Sequence, residues 1–219
     1  MSFTFHQPFG PGIYQSKVSD DLVKFLLETG EATKFDPTSD NRANLASNFM
    51  KGAANHYKTV LTLNEIQRVD QELRHHLDVF FEECGNRLML PKDIFALTNF
   101  NIDNFWLKDM WVNFQLSGDF NPMHQHGGDI SFVIYLQMPK QEDLLMPVTN
   151  IHPDAGIQWR YGEYLPFSKD NFHRMPEVGD IFIFSAKVRH QVHAFWHKDP
   201  SFERISVSGN YWYSPPPEV

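Results

Sequence analysis

Hydrophobic and polar positions follow two different patterns along the chain. The pattern of residues 1–92 is mixed or helical: apolar side chains recur mostly three or four positions apart behind Thr62, whereas Glu31–Lys58 is largely irregular and polar. In residues 93–214 they alternate with polar ones, which is typical of strands with one buried face. The predicted strands, separated by turn residues, are Ala96–Ile102, Phe105–Leu116, Ile130–Met138, Ile157–Trp159, Ile181–Phe184 and Glu203–Tyr213. Several short strands without helices between them favour an antiparallel sandwich or barrel over a parallel sheet.

Two helices are predicted in the first part of the chain. Ser19, followed by two aspartates and an apolar run, predicts a short helix with an N-cap and an end at Gly30. Thr62 and Glu65 fit a capping box, and the apolar stripe behind them runs to Gly85. Because this longer helix has a single apolar stripe, it should lie against a sheet.

Composition narrows the class of protein. The 219 residues fit one domain over 1–219, and 42% hydrophobic residues argue against wholesale disorder. The net charge of −8 shows no excess of basic residues of the kind that binds nucleic acid, so no nucleic-acid partner is expected. The single cysteine, Cys84, excludes an internal disulfide and an all-cysteine metal site. Without a signal-peptide pattern or an apolar run of about 18 residues, we expect a soluble, cytoplasmic protein with no membrane partner.

Histidine is the most informative residue type, with 11 in the chain. His124 and His126 are two apart, so at the end of a strand both rings point to one face. His190 lies 64 residues beyond His126, enough chain to return beside the pair. Together they predict a three-residue facial metal site, the alternative being ordinary strand-end and loop histidines. The adjacent His75 and His76 on the long helix are expected to be exposed and semi-buried rather than ligands.

The last predicted strand carries a positive charge at a defined position. Alternation puts Arg204 and Ser206 on one face and Ile205 and Val207 on the other. An arginine and a serine pointing into a barrel would form a receptor for a carboxylate. The alternative is a surface arginine paired with a nearby carboxylate such as Glu203.

Taken together, these segments resemble the Fe(II)- and 2-oxoglutarate-dependent oxygenases. More narrowly, they are similar to a 2OG-Fe(II) oxygenase family with a His-x-His pair followed by a distant His. The resemblance covers roughly Trp111 to Tyr211 and rests on the order and spacing of five segments: His124/His126, Ser131–Leu136, Pro176–Phe184, His190 and Arg204–Asn210.

The resemblance implies a mainly β fold with N-terminal helices: a double-stranded β-helix, or jelly roll, with the helices packed on one sheet. It implies Fe(II), 2-oxoglutarate and O2 as reactants. It also implies a 2-oxoglutarate-dependent dioxygenase of the hydroxylase type, which releases succinate and CO2. The domain division would then be a helical or irregular part, 1–92, and a β-helix core, 93–214.

For the metal, the resemblance implies His124, His126 and His190 as iron ligands. Most 2-oxoglutarate oxygenases have His-x-Asp where this chain has His-x-His. A neutral ring in place of a carboxylate leaves the ferrous centre one unit more positive. Asp129 is the nearest carboxylate along the chain, but its spacing from His126 is unusual. We therefore expect three histidines rather than a site that uses Asp129.

For 2-oxoglutarate, the resemblance implies that Arg204 and Ser206 bind the distal carboxylate, with Tyr135 as a third donor. Asn113 and Gln115 either reach the cleft as cofactor or substrate contacts or are structural polar residues. The sequence does not identify the primary substrate. A peptidyl or small-molecule substrate is favoured.

Two other functions fit the same residues. One is a cupin-like, metal-dependent dioxygenase that does not use 2-oxoglutarate, which would have no need of the Arg204 and Ser206 pair. The other is a non-catalytic jelly-roll binding module. The aromatic loop 159–172 would be a lid or, more simply, packed loop residues.

Overall fold

The computed structural model describes residues 2–6, 10–34, 57–87, 102–146, 155–167 and 169–213. In these ranges the chain forms eleven strands and two α-helices, α1 (Asp20–Lys34) and α2 (Leu63–Arg87). The strands are β1 (Thr4–His6), β2 (Ile13–Lys17), β3 (Tyr57–Val60), β4 (Phe105–Gln115), β5 (Asn121–His124), β6 (Ile130–Gln137), β7 (Ile157–Arg160), β8 (Asn171–Arg174), β9 (Asp180–Ser185), β10 (Arg189–Val192) and β11 (Arg204–Tyr213).

The strands form two antiparallel sheets. The large sheet has seven strands in the order β1-β2-β9-β6-β11-β4-β3, and the small sheet has four in the order β5-β10-β7-β8. Strand β11 lies inside the large sheet, paired with β4 on one side and β6 on the other. The predicted mainly β, jelly-roll fold is confirmed by this architecture.

The large sheet separates two apolar layers. On β6, Phe132, Ile134 and Leu136 pack into the core shared with α1 and α2. Val133 and Tyr135, which alternate with them, pack into a second core with residues of β7 and β9. The helices therefore cover one face of the large sheet and the small sheet covers the other, so the predicted alternation on β6 is confirmed.

Both helices begin where the capping residues predict. The Leu22 N–H donates to the Ser19 hydroxyl at 3.1 Å. The Thr62 N–H donates to the Glu65 carboxylate at 2.6 Å, and the Glu65 N–H donates to the Thr62 hydroxyl at 3.4 Å. Each cap satisfies N–H groups that have no partner within the helix.

Both predicted helix ends at glycine are wrong, because α1 continues to Lys34 and α2 to Arg87. Gly30 acts as a packing residue instead of a stop. A Cβ at this position would lie 3.1 Å from Val112 and 3.3 Å from Phe114 on β4. The missing side chain thus lets α1 approach the sheet closely.

The strand prediction missed six short strands: β1, β2, β3, β5, β8 and β10. Each has only three to five residues, too few to show a period of two, and several are polar. The predicted strand Ala96–Ile102 lies outside the described residues except for Ile102, which opens a 3₁₀ turn. Since three of the missed strands precede residue 92 and join the large sheet, the boundary expected at 92/93 does not separate the β-sheets from the rest.

Neither described helix has the length and the apolarity to cross a membrane.

The two adjacent histidines of α2 differ sharply in environment. His75 is exposed, as expected, whereas His76 is buried more deeply than expected, with 3% of its surface accessible. The Nδ1 of His76 is 2.8 Å from the hydroxyl of Tyr14 on β2. Burial, with a smaller contribution from His75, lowers the pKa of His76 to about 4. The ring is therefore neutral in the folded protein near pH 7.

The buried His76 predicts a loss of stability in mild acid. The unfolded chain binds a proton near pH 6.5 and the folded chain only near pH 4, so the free energy of unfolding falls as the pH drops through this window. His76→Gln keeps a hydrogen-bonding group for Tyr14 but does not titrate. Urea unfolding between pH 7 and 4 measures this dependence. The free energy of unfolding of the variant should fall less than that of the parent, by roughly 2–4 kcal/mol over the window.

His75→Gln is the matched control, because His75 is exposed and adjacent. In this control the free energy of unfolding should fall with decreasing pH almost as much as in the parent. An equal pH dependence of the free energy of unfolding in the parent and in His76→Gln would contradict the assignment of the acid-induced loss of stability to His76.

Candidate metal centre

Three histidines from two distant segments meet at the β5 edge of the small sheet. Strands β5 and β10 pair so that His124 lies directly opposite His190. His126 follows β5 in a turn held by its N–H, which donates to the carbonyl of Ala186 at 2.9 Å. One ring nitrogen from each histidine lies within 4.8 Å of those of the other two. The fold thus brings together the predicted ligand set.

The spacing of the rings suits a metal ion. The Nε2 atoms of His124 and His126 are 3.0 Å apart. Two nitrogens bound about 2.1 Å from a metal, at right angles to each other, would be separated by about 3.0 Å. The ring centroid of His190 is 4.3 Å from that of His124 and 4.9 Å from that of His126. The three rings fit one side of a coordination sphere and leave the other side open.

The other ring nitrogen of each histidine is held by an oxygen atom. The Nδ1 acceptors are the Pro122 carbonyl for His124 at 2.6 Å, Asn210 Oδ1 for His126 at 2.9 Å and the Val188 carbonyl for His190 at 3.0 Å. An oxygen acceptor assigns the proton to Nδ1 and leaves the lone pair of Nε2 for a metal. Such outer contacts orient metal-binding histidines in general.

His190 is the buried member of the set, whereas His124 and His126 are partly exposed. Burial, reinforced by the neighbouring His124 and His126, lowers the pKa of His190 well below its usual value. A neutral ring is the form that binds a metal.

Asp129 takes a different position. Its carboxylate accepts the Tyr213 N–H at 2.8 Å, and its own N–H donates to the Tyr211 carbonyl at 2.9 Å. The preceding Gly128 has φ +73°, and a Cβ there would meet the Tyr211 carbonyl at 2.9 Å. Asp129 therefore anchors the end of β11, and among the described residues the cluster that could hold a metal ion consists of the three histidines.

A cavity of about 370 Å³ opens beside the histidines. Its polar wall comes from the inner faces of β4 and β11 and includes Asp109, Asn113, Ser206, Ser208 and Asn210. The amide of Asn113 donates to the hydroxyls of Ser206 at 3.4 Å and Ser208 at 3.2 Å. Two of the predicted cofactor contacts, Asn113 and Ser206, thus line the space next to the metal centre.

Arg204 is fully buried and is not part of the cavity wall. Its Nε and Nη2 donate to Gln115 Oε1 at 3.1 and 2.9 Å, and its Nη1 donates to the carbonyls of Ala155 and His193 at 3.0 and 2.9 Å. Four of the five guanidinium N–H groups are thereby used within the protein. Burial lowers the pKa of Arg204 to about 10, so it stays charged at pH 7.

Two buried polar atoms beside Arg204 have no hydrogen-bond partner among the described residues: the Tyr135 hydroxyl and Gln115 Nε2. Burial raises the pKa of Tyr135, so its hydroxyl remains a donor. A buried donor left unpaired costs about 1–3 kcal/mol, which makes this group unusual. Donors around a buried arginine suit a carboxylate, since its oxygens only accept.

Two further histidines and the aromatic loop lie outside this group. The side chain of His193 bonds to Gln158, and His197 stacks on Phe202. In the aromatic loop, Trp159 is buried in β7, whereas Tyr164 and Phe167 are exposed. The loop is therefore packed at both ends, where the rings of Trp159 and Phe172 contact each other, and exposed over residues 161–167.

Three residues near the metal centre received no role from the sequence: Asp109, Ser131 and Asn210. Ser131 and Asn210 lie in the segments that carried the resemblance, but their contact is made across strands 79 residues apart. The one signal that the sequence offers is that Asn210 continues the polar face formed by Arg204, Ser206 and Ser208.

Comparison with known proteins agrees with this geometry. Residues 109–210 match a family model described as "Putative 2OG-Fe(II) oxygenase". The chain finds no match among curated protein sequences.

Three solved structures share the fold. A Pseudomonas putida prolyl-4-hydroxylase is 16% identical with a TM-score of 0.53, covering 92% of each chain. A viral collagen prolyl hydroxylase from Paramecium Bursaria Chlorella virus-1, in a 2OG complex, is 13% identical with a TM-score of 0.54, covering 93% of this chain and 96% of its own. A Trichoplax adhaerens prolyl hydroxylase, bound to a hypoxia inducible factor peptide fragment, is 12% identical with a TM-score of 0.52, covering 96% and 83%.

At these identities the structural likeness shows the fold, and the family model carries the assignment. The matched residues include all three histidines and the strand from Arg204 to Asn210. Residues 109–210, the part of the chain that carries the candidate metal centre, therefore match the 2OG-Fe(II) oxygenase family, whose reactants are Fe(II), 2-oxoglutarate and O2.

Proposed function

We propose that this oxygenase hydroxylates a peptidyl substrate, with His124, His126 and His190 holding the iron. The observation that carries the proposal is the convergence of three Nε2 atoms whose Nδ1 atoms are all fixed by oxygen acceptors. The bound iron would supply activation of O2, coupled to conversion of 2-oxoglutarate into succinate and CO2. The chain itself orients the three rings, and burial keeps the His190 ring neutral.

The buried donors beside Arg204 suit the distal carboxylate of 2-oxoglutarate. We assign the distal carboxylate to the donors around Arg204, namely the Tyr135 hydroxyl, Gln115 Nε2 and the remaining guanidinium N–H. Ser206 and Asn113 line the path between this pocket and the histidines. On the sheet, Ser206 lies opposite Tyr135 on one side and Asn113 on the other, so these groups form one continuous polar row.

Two observations support a peptidyl substrate over a small molecule. His124 and His126 are partly exposed, so a side chain carried by a large substrate can reach the open side of the metal centre. One solved structure of the same fold is a prolyl hydroxylase in complex with a peptide fragment.

Metal binding is the first test. His190→Ala should weaken Mn(II) binding by more than the roughly 10- to 100-fold that loss of an outer contact costs, because a ligand itself is removed. Electron paramagnetic resonance titration measures the free Mn(II). His193→Ala, three residues further along, is the matched control and should bind like the parent. Parental affinity in both His190→Ala and His124→Ala would refute the three-histidine site.

The carboxylate pocket is tested by deleting a single oxygen. Tyr135→Phe removes a hydroxyl that has no hydrogen-bond partner among the described residues, so thermal stability should stay the same or rise. Affinity for 2-oxoglutarate, measured by calorimetry with Mn(II), should fall about tenfold or more, since a hydrogen bond to a charged group is lost.

Tyr211→Phe is the control for the pocket, because Tyr211 is buried in the helix-side core. It should leave 2-oxoglutarate affinity unchanged. Arg204→Lys keeps the charge but loses the planar guanidinium and its several N–H donors. It should therefore also weaken 2-oxoglutarate binding and lower the stability of the protein. Unchanged affinity in Tyr135→Phe would remove this tyrosine from the pocket.

Turnover tests the reaction and its substrate class. With Fe(II), 2-oxoglutarate and O2, the protein should form succinate slowly, and a pool of proline-containing peptides should accelerate it. Mass spectrometry should then find peptides that have gained one oxygen atom. No succinate from the metal-loaded protein would favour a cupin-like enzyme or a binding module, and acceleration by small molecules alone would overturn the peptidyl substrate.

A further inference from the structure

We propose that Asp109 and Asn210 form a positioning pair that fixes His126 as a metal ligand. The pair would also place a negative charge near a ligand set made only of neutral rings. This inference rests on the proposed metal centre. It concerns two residues that touch neither the metal position nor 2-oxoglutarate in the assignment above.

The sheet register brings the members of the pair together. Asn210 on β11 lies opposite Asp109 on β4 and opposite Ser131 on β6. Asn210 Oδ1 accepts the Nδ1–H of His126 at 2.9 Å and the hydroxyl of Ser131 at 2.7 Å. Asn210 Nδ2 donates to Asp109 Oδ1 at 3.4 Å. The chain of contacts therefore runs from Asp109 through one amide to the ring.

Asp109 decides which way the amide points. A carboxylate only accepts, so the NH2 group of Asn210 must face Asp109 and the carbonyl must face His126. The flipped amide would set two acceptors against each other. With the carbonyl facing the ring, His126 must carry its proton on Nδ1, and the lone pair of Nε2 is left for the metal.

His126 is the ligand that needs such help. The Nδ1 atoms of His124 and His190 bond to backbone carbonyls, which accept in every state of the protein. His126 is held by a side-chain amide, which can rotate to offer a donor instead. Its tautomer therefore depends on what orients that amide.

Burial of Asn210 and Ser131 fixes the orientation of the Asn210 amide. Asn210 is 5% exposed and Ser131 is 1% exposed, so a wrongly turned amide could not be satisfied by water. Asp109 lies at the edge of this network, partly exposed, and is the one acid in the cavity wall. In a site with no carboxylate ligand, its charge acts on the metal through two hydrogen bonds.

The test uses metal affinity and a tautomer signal rather than activity. Asp109→Asn should weaken Mn(II) binding by about tenfold, the low end for an outer contact. Asn210→Leu, which removes the acceptor itself, should cost up to about a hundredfold. In the Zn(II)-loaded, ¹⁵N-histidine-labelled protein, the Nδ1–H signal of His126 should be sharp in the parent and broadened or lost in Asp109→Asn.

A swap of the two side chains separates positioning from simple damage. In the double variant Asp109→Asn/Asn210→Asp, the amide and the carboxylate exchange places, and the same donors meet the same kinds of acceptor. It should recover Mn(II) affinity to within about threefold of the parent, where a threefold change is only ~0.7 kcal/mol. Asp103→Asn, an exposed change of equal charge near the start of β4, is the control and should have no effect.

The proposal is overturned if Asp109→Asn binds Mn(II) like Asp103→Asn, or if the swap binds no better than Asp109→Asn alone. These results differ from a failure of the metal centre itself, in which the parent would not bind Mn(II). Thermal unfolding of the metal-free variants should show little change, which excludes loss of fold as the cause.

Discussion

The alternation of side chains on strand β11 is the constraint on which the site depends. Its odd-numbered residues Ile205 and Val207 complete the core under the helices, and its even-numbered residues face the inner side of the sheet. A slip of one residue against β4 or β6 would turn Arg204 and Asn210 into the apolar core. Burial of the apolar face thus fixes the register, and the register fixes the polar row.

Burial gives the polar row its chemical character. Away from water, Arg204 needs acceptors and finds them in Gln115 and in two backbone carbonyls of segments next to the small sheet. The same contacts tie the two sheets together. The Tyr135 hydroxyl remains unpaired in this network, and an unpaired buried donor is a place where binding of an anion relieves a cost.

The metal centre follows the same logic with neutral groups. His190 can be buried beside two other imidazoles because its ring need not carry a charge, and its low pKa expresses this. A ligand set of this kind adds no negative charge of its own. The environment therefore has to orient the rings and supply compensation, and Asp109 on the cavity wall is placed to do so.

The sequence by itself determined the features that depend on near neighbours in the chain. The caps at Ser19 and Thr62, the alternation on β6 and β11, and the His-x-His spacing are local, so pattern and residue type were enough to predict them. Five separated segments in the right order also indicated the family, since their order and spacing can be read directly along the chain.

Only the tertiary structure decided the features that depend on distant partners. The pattern alone predicted that α1 ends at Gly30. In the structure the helix continues, and the missing side chain of Gly30 lets it pack closely against Val112 and Phe114. Asn210 became the partner of His126 across 84 residues, and Arg204 found its acceptors in segments that no pattern links to it. Short strands such as β5 and β10, which place His124 opposite His190, exist because neighbouring strands supply their hydrogen bonds.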